Sequence, residues 1–117
     1  MTETTSIPTD QLPATIRGYL AAHVAGDTDT ALRAFAPAAV VVDDGSTYRG
    51  TDEIRAFLAT AGSEFSYTTA LVGAERIDDA HWVAVNHLEG DFPGGVVDLR
   101  YRFALAGDLV AELVIAP

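Results

Sequence analysis

The chain has no cysteine and no lysine; its seven basic residues are all arginine. Without cysteine there is no thiol nucleophile, no thiolate metal site and no disulfide. Without lysine there is no Schiff-base chemistry. No apolar run reaches membrane-spanning length, and the first ten residues, MTETTSIPTD, lack the charged and apolar regions of a secretory leader. These absences read together as a soluble, cytoplasmic protein. Seventeen acidic residues give a net charge of −10. That balance offers no cationic footprint for a phosphate backbone and no polybasic patch for an anionic bilayer. No nucleic-acid or membrane partner is therefore expected. There is no glycine-rich phosphate loop and no G-x-S-x-G elbow, so no cofactor is expected either. His81 and His87 stand about 20 Å apart if they share a strand, too far to hold one ion, so no metal is expected.

What remains is a chain of 117 residues, 49% apolar and 21% charged, the size and composition of one globular domain. Residues 1–8 read as a frayed tail and residues 9–117 as the domain. Leu12, Ile16, Tyr19, Leu20, His23 and Val24 share one side of a helix that Gly26 stops. Asp27 or Thr28 caps a second short helix, with Ala31, Leu32 and Phe35 inward and Pro37 at its end. Residues 39–42 form a β-branched run into the turn Asp43-Asp44-Gly45. Thr51 caps a third helix, whose stripe is Ile54, Phe57, Leu58 and Ala61 and whose stop is Gly62. Four strands follow, at about 65–77 with a bulge at Gly73, 81–89, 96–105 and 109–116. The fold class is α+β: three N-terminal helices packed in a strongly curved, mixed or antiparallel sheet, a cone-shaped roll enclosing a pocket.

This element order resembles the nuclear transport factor 2-like, or SnoaL-like, superfamily. The local strings that carry the resemblance are YLAAHVAGDTD (19–29), FAPAAVVVD (35–43) and Tyr48-Arg49-Gly50 followed by Asp52-Glu53-Ile54-Arg55-Ala56-Phe57. The superfamily spans isomerases, cyclases, dehydratases and non-catalytic modules, so the fold does not name the function. Within it, the first half is most similar to ketosteroid isomerases. Those enzymes carry a tyrosine on the first helix and an aspartate at the end of the first strand; Tyr19 and Asp43 fall in those places. The resemblance implies that Asp43 takes a proton next to a carbonyl while Tyr19 donates to the enolate oxygen. It places Leu99 where those enzymes have a second acid. Asp98 is one residue away and points to the opposite face unless a bulge restores the register.

Each candidate also has an ordinary structural reading. Asp43 is either a base at the cavity mouth or a solvated turn residue. Tyr19 is either a pocket donor or a core tyrosine tied to a neighbour. His23 either lines the pocket or sits satisfied at a helix end. His87 and Glu89 share a strand face that the resemblance turns toward the cavity, making His87 an auxiliary acid; Trp82 argues for the opposite face. The set Tyr19, Asp43, Tyr48 and His87 also resembles a dehydratase site. Phe57, Tyr48, Asp98 and Glu112 are further candidates for ligand contact. The last strand is apolar on both sides, so its sheet is covered twice, once by helices and cavity and once by a second subunit. The reading is thus a pocket protein for a small, apolar, carbonyl-bearing molecule. It is either a cofactor-free isomerase, cyclase or dehydratase, or a binding or dimerisation module, and in either case a homodimer.

Overall fold

In a computed structural model that describes residues 4–60 and 67–117, three helices pack against one face of a seven-stranded sheet. The helices are α1 (Ala14–Val24), α2 (Thr28–Arg33) and α3 (Gly50–Thr60). The strands are β1 (Thr5–Ile7), β2 (Phe35–Asp43), β3 (Ser46–Arg49), β4 (Tyr67–Arg76), β5 (His81–Gly90), β6 (Val96–Ala106) and β7 (Leu109–Ala116), in the spatial order β1-β4-β5-β6-β7-β2-β3. Every pairing is antiparallel except that of β2 with β7, so the sheet is mixed and open, as an α+β cone requires.

Local sequence explains most of the elements. Pro13 precedes α1, where its missing N–H costs nothing. Gly26, at φ +72°, ends the turn after α1. Asp27 caps α2 by accepting from the Thr30 N–H at 3.2 Å. Gly73 lies at a bulge, where the β4–β5 register shifts between Leu71 and Gly73. Thr15 Oγ1 donates to the Asp108 carbonyl at 2.7 Å, tying α1 to the β6–β7 turn.

Three expectations are corrected, and one strand is added. Residues 5–7 are not a tail: they pair with Ala74–Arg76 as an edge strand, driven by the open edge of β4 rather than by any pattern of their own. Pro37 does not end α2. The helix stops at Arg33, and Pro37 lies within β2, where the register against β7 is irregular between Phe35 and Val40. Residues 46–49 form a strand because the turn before them folds back on β2. The third helix begins at Gly50, and its entry is held by Glu53, whose carboxylate accepts from the Arg49 N–H at 3.0 Å. Ala61, Gly62 and the expected strand start near residue 65 lie outside the described residues.

The core sits between the helices and the inner sheet face. Ile16, Tyr19, Ile54, Val41, Phe103, Val110 and Leu113 are essentially inaccessible. The inner face presents Val41 and Asp43 from β2, Ala84, Asn86 and Leu88 from β5, Leu99, Tyr101 and Phe103 from β6, and Leu113 and Ile115 from β7.

Candidate functional site

The β2–β3 hairpin sets the position of Asp43. Asp44 (φ +51°) and Gly45 (φ +79°) form a two-residue turn, and Asp43 pairs with Ser46 across it. The alternation along β2 then turns Asp43 to the inner face with Val41 and Ala39. There it enters the wall of a cavity of about 370 Å³. Phe57 of α3, Leu88 of β5, Val97 and Leu99 of β6 and Ile115 of β7 supply apolar wall; His23, Tyr67 and Tyr101 supply the polar groups beside Asp43 and Asp44. A second depression, about 400 Å³, shares Asp43, Asp44, Leu99 and Ile115, so the carboxylate stands where the two meet.

Asp43 is half-buried and makes no hydrogen bond or ion pair among the described residues. Desolvation raises its pKa above the ordinary carboxylate value, and the neighbouring Asp44 charge adds to the rise. Burial lowers the pKa of His23, which keeps its imidazole neutral at pH 7. Burial, followed by the Asp43 charge, raises that of Tyr67. Tyr101 is raised strongly by burial, then by Tyr67 and Asp43; a hydrogen bond from the Asn86 side chain acts in the opposite sense.

Tyr19 lies against this wall without forming part of it. Its ring stacks on His23 at 5.8 Å and meets Phe35 and Phe103 edge-on. Its hydroxyl is fully buried and has no hydrogen-bond partner among the described residues. Burial raises its pKa far above the usual tyrosine range, and Tyr101, Asp43 and Tyr67 add to the rise in that order. Three phenols and one carboxylate therefore share one electrostatic neighbourhood.

The remaining predicted residues divide. His23 and Phe57 line the cavity. Tyr48 packs its ring on Phe57 at 5.0 Å, behind that wall. His87, Asp98 and Glu112 are corrected: all three lie on the outer face. The β5–β6 register runs unbroken from His81↔Ala104 to Glu89↔Val96, so no bulge turns Asp98 inward. His87 faces Asp98 across the strands, Nδ1 to Oδ1 at 2.6 Å, with Glu89 at 3.5 Å from Nε2. Those two carboxylates raise the His87 pKa, Asp98 first. Glu112 is exposed opposite Ala104. On the same face Arg100 grips Glu75 through two bonds of 2.8 and 3.0 Å. Among the described residues, no three histidine, aspartate or glutamate side chains gather to hold a metal ion.

Sequence reasoning missed Tyr67, Tyr101 and Asn86. Tyr101 was detectable, because it follows Leu99 by two residues and so shares its face. Asn86 is the one buried polar side chain outside the tyrosines among the described residues, 3% exposed. It also lines a separate cavity of about 510 Å³ between α1 and β4, with Leu20, Val24 and Leu71.

Comparison with known proteins agrees with this fold. A protein of Sinorhizobium meliloti, provisionally named a polyketide cyclase, is 29% identical over 94% of this chain and 100% of its own, with a TM-score of 0.86. A Δ5-3-ketosteroid isomerase from Mycobacterium sp. shares the fold at 19% identity, covering 89% of this chain and 90% of its own, TM-score 0.71. So does a Catenulispora acidiphila protein of ketosteroid isomerase-like fold, solved with trimethylamine, at 17% identity over 90% and 85%, TM-score 0.77. No curated protein matches the sequence. The model of the SnoaL-like domain matches residues 16–111, and the chain belongs to that family.

Proposed function

We infer that the 370 Å³ cavity receives a small, apolar, carbonyl-bearing molecule and that Asp43 moves a proton at the carbon beside the carbonyl, without a cofactor. One observation carries this reading: a carboxylate with no cationic or hydrogen-bonding partner, half-buried against Phe57, Leu99 and Ile115. Structural carboxylates in such places are ordinarily paired. An unpaired one with a raised pKa has the basicity that proton abstraction uses. The Tyr19 hydroxyl, buried behind that wall, donates to the developing oxyanion once ligand entry parts the side chains in front of it; a buried hydroxyl without a partner costs roughly 1–3 kcal/mol, which a ligand oxygen recovers. Neutral His23, beside both groups, is the remaining proton carrier. The reaction class is isomerisation, cyclisation or dehydration. A homodimer through the outer sheet face belongs to the same reading.

The test is solvent-deuterium exchange into a panel of apolar cyclic ketones, Δ5-3-ketosteroids among them. The expected result is exchange that falls by about 10²-fold or more in Asp43→Asn, while ketone binding changes less than twofold. Unchanged exchange in Asp43→Asn overturns the base assignment. Leu99, apolar where a second acid would stand, favours one other reading, a binding module. Ketone binding with no exchange in the parent protein would support it.

A further inference from the structure

A proton-transfer site of this kind needs more than one donor. A single neutral hydrogen bond is weak support for an enolate, and catalytic sites concentrate several preorganised donors on the oxygen that becomes charged. Leu99 cannot donate, and Asp98 is held outside by an unbroken register. The next inward position on β6 is Tyr101, 5% exposed and in the cavity wall on the same face as Leu99. Its neighbour Asn86, on the adjacent strand, is buried and directed inward.

Tyr101 shares its cavity wall with Asp43, and the buried Asn86 acts on its phenol from the neighbouring strand. An amide N–H given to the phenol oxygen favours the anion and lowers the pKa, which is the direction in which Asn86 acts. With the phenol oxygen accepting there, its own O–H would be left to point into the cavity that Tyr101 lines. Burial keeps that proton in place at neutral pH. A tyrosine that accepts from a buried amide and retains its proton is a fixed, neutral donor. Tyr101 lines the same cavity as Asp43, whose charge raises its pKa, and Tyr101 in turn raises that of Tyr19, so the donor lies beside the base and the orphan hydroxyl.

We propose that Tyr101, oriented by Asn86, donates the second hydrogen bond to the ligand's oxyanion, in the role that Leu99 cannot fill. This rests on the pocket reading above. Tyr101 would touch the ligand; Asn86 is a positioning residue that acts through it.

The experiment uses 2-naphthol, whose neutral and ionised forms fluoresce differently, and naphthalene as the control without an oxygen. Binding is measured to Asp43→Asn, which removes the repelling charge and takes no proton from the probe. The expected result is preferential binding of naphtholate, weakened about tenfold by adding Tyr101→Phe, with naphthalene affinity unchanged within twofold. Asn86→Leu should also weaken naphtholate, yet add nothing further once Tyr101 is phenylalanine, because the two act as one unit. Full naphtholate affinity in Tyr101→Phe overturns the proposal, as does a parent that shows no preference for the ionised form. Additive losses from Asn86→Leu and Tyr101→Phe overturn the positioning role. Since no proton is abstracted from carbon here, failure leaves the Asp43 exchange result standing, and failure of that exchange leaves the donor result standing.

Discussion

Asp43 keeps an unpaired charge in a half-apolar wall, and that has a consequence for stability. Its pKa is raised in the fold above the ordinary 3.8, so the folded state holds the proton more tightly than the unfolded chain does. The stability tied to this group is complete below pH 3.8 and is lost as pH rises through the raised value. Asp43→Asn is therefore expected to be more stable than the parent at neutral pH. Urea titrations should show that advantage vanish below pH 3.8. Exchange catalysed by Asp43 should follow the opposite course, rising with pH through the same raised value as the base ionises. Tyr19 gives a parallel case. A core tyrosine with a bonded hydroxyl loses stability as phenylalanine; here the hydroxyl has no partner. Tyr19→Phe is expected to leave the thermal midpoint unchanged or higher while slowing exchange. A lower midpoint would mean that the hydroxyl is satisfied in solution. Both residues were legible in the sequence because a helix face and a strand-to-turn junction are local features.

The elements show why other residues were not. On β5, Val83 and Val85 alternate with Trp82, Ala84 and Leu88, so both faces are apolar and period-2 spacing cannot name the buried one. Only the pairing of β5 with β6 settles that Asn86 and Leu88 face inward and His87 outward. On β7 the register against β6 shifts between Ala104 and Leu105, which brings Val110 into the core with Leu113 and Ile115 although its parity differs. No sequence signal marks that shift. The β2–β3 turn, in contrast, was plain from Asp43-Asp44-Gly45, and it supports a prediction. A Cβ on Gly45 would meet nothing within 4 Å, so Gly45→Ala tests the backbone alone. At φ +79° the alanine should cost about 1–2 kcal/mol, read as a lower urea midpoint. Because Asp43 is the first residue of that turn, exchange should fall as well. Full stability in Gly45→Ala would show that the turn adopts another geometry.

At the scale of the molecule, the inner sheet face is accounted for by helices and cavity, whereas no helix among the described residues lies over the outer face. On that face Val40, Val42, Val85 and Val114 are only partly covered. Around them stand balanced charges, Arg100 on Glu75 and His87 between Asp98 and Glu89. An apolar centre with a rim of paired charges suits a second copy of the chain better than it suits water. The expected mass in light scattering at micromolar concentration is twice the 12.3 kDa of the chain. Val114 lies directly opposite Arg102 on β6, so Val114→Glu places a carboxylate beside a cation and the single subunit should fold. In a symmetric dimer the same substitution sets two new carboxylates against the shared apolar centre, where desolvation and mutual repulsion oppose association. Val114→Glu is therefore expected to give the single-chain mass with an unchanged far-ultraviolet circular dichroism spectrum. A parent protein that already scatters as one chain would remove the second subunit from this account and leave the outer valines facing solvent.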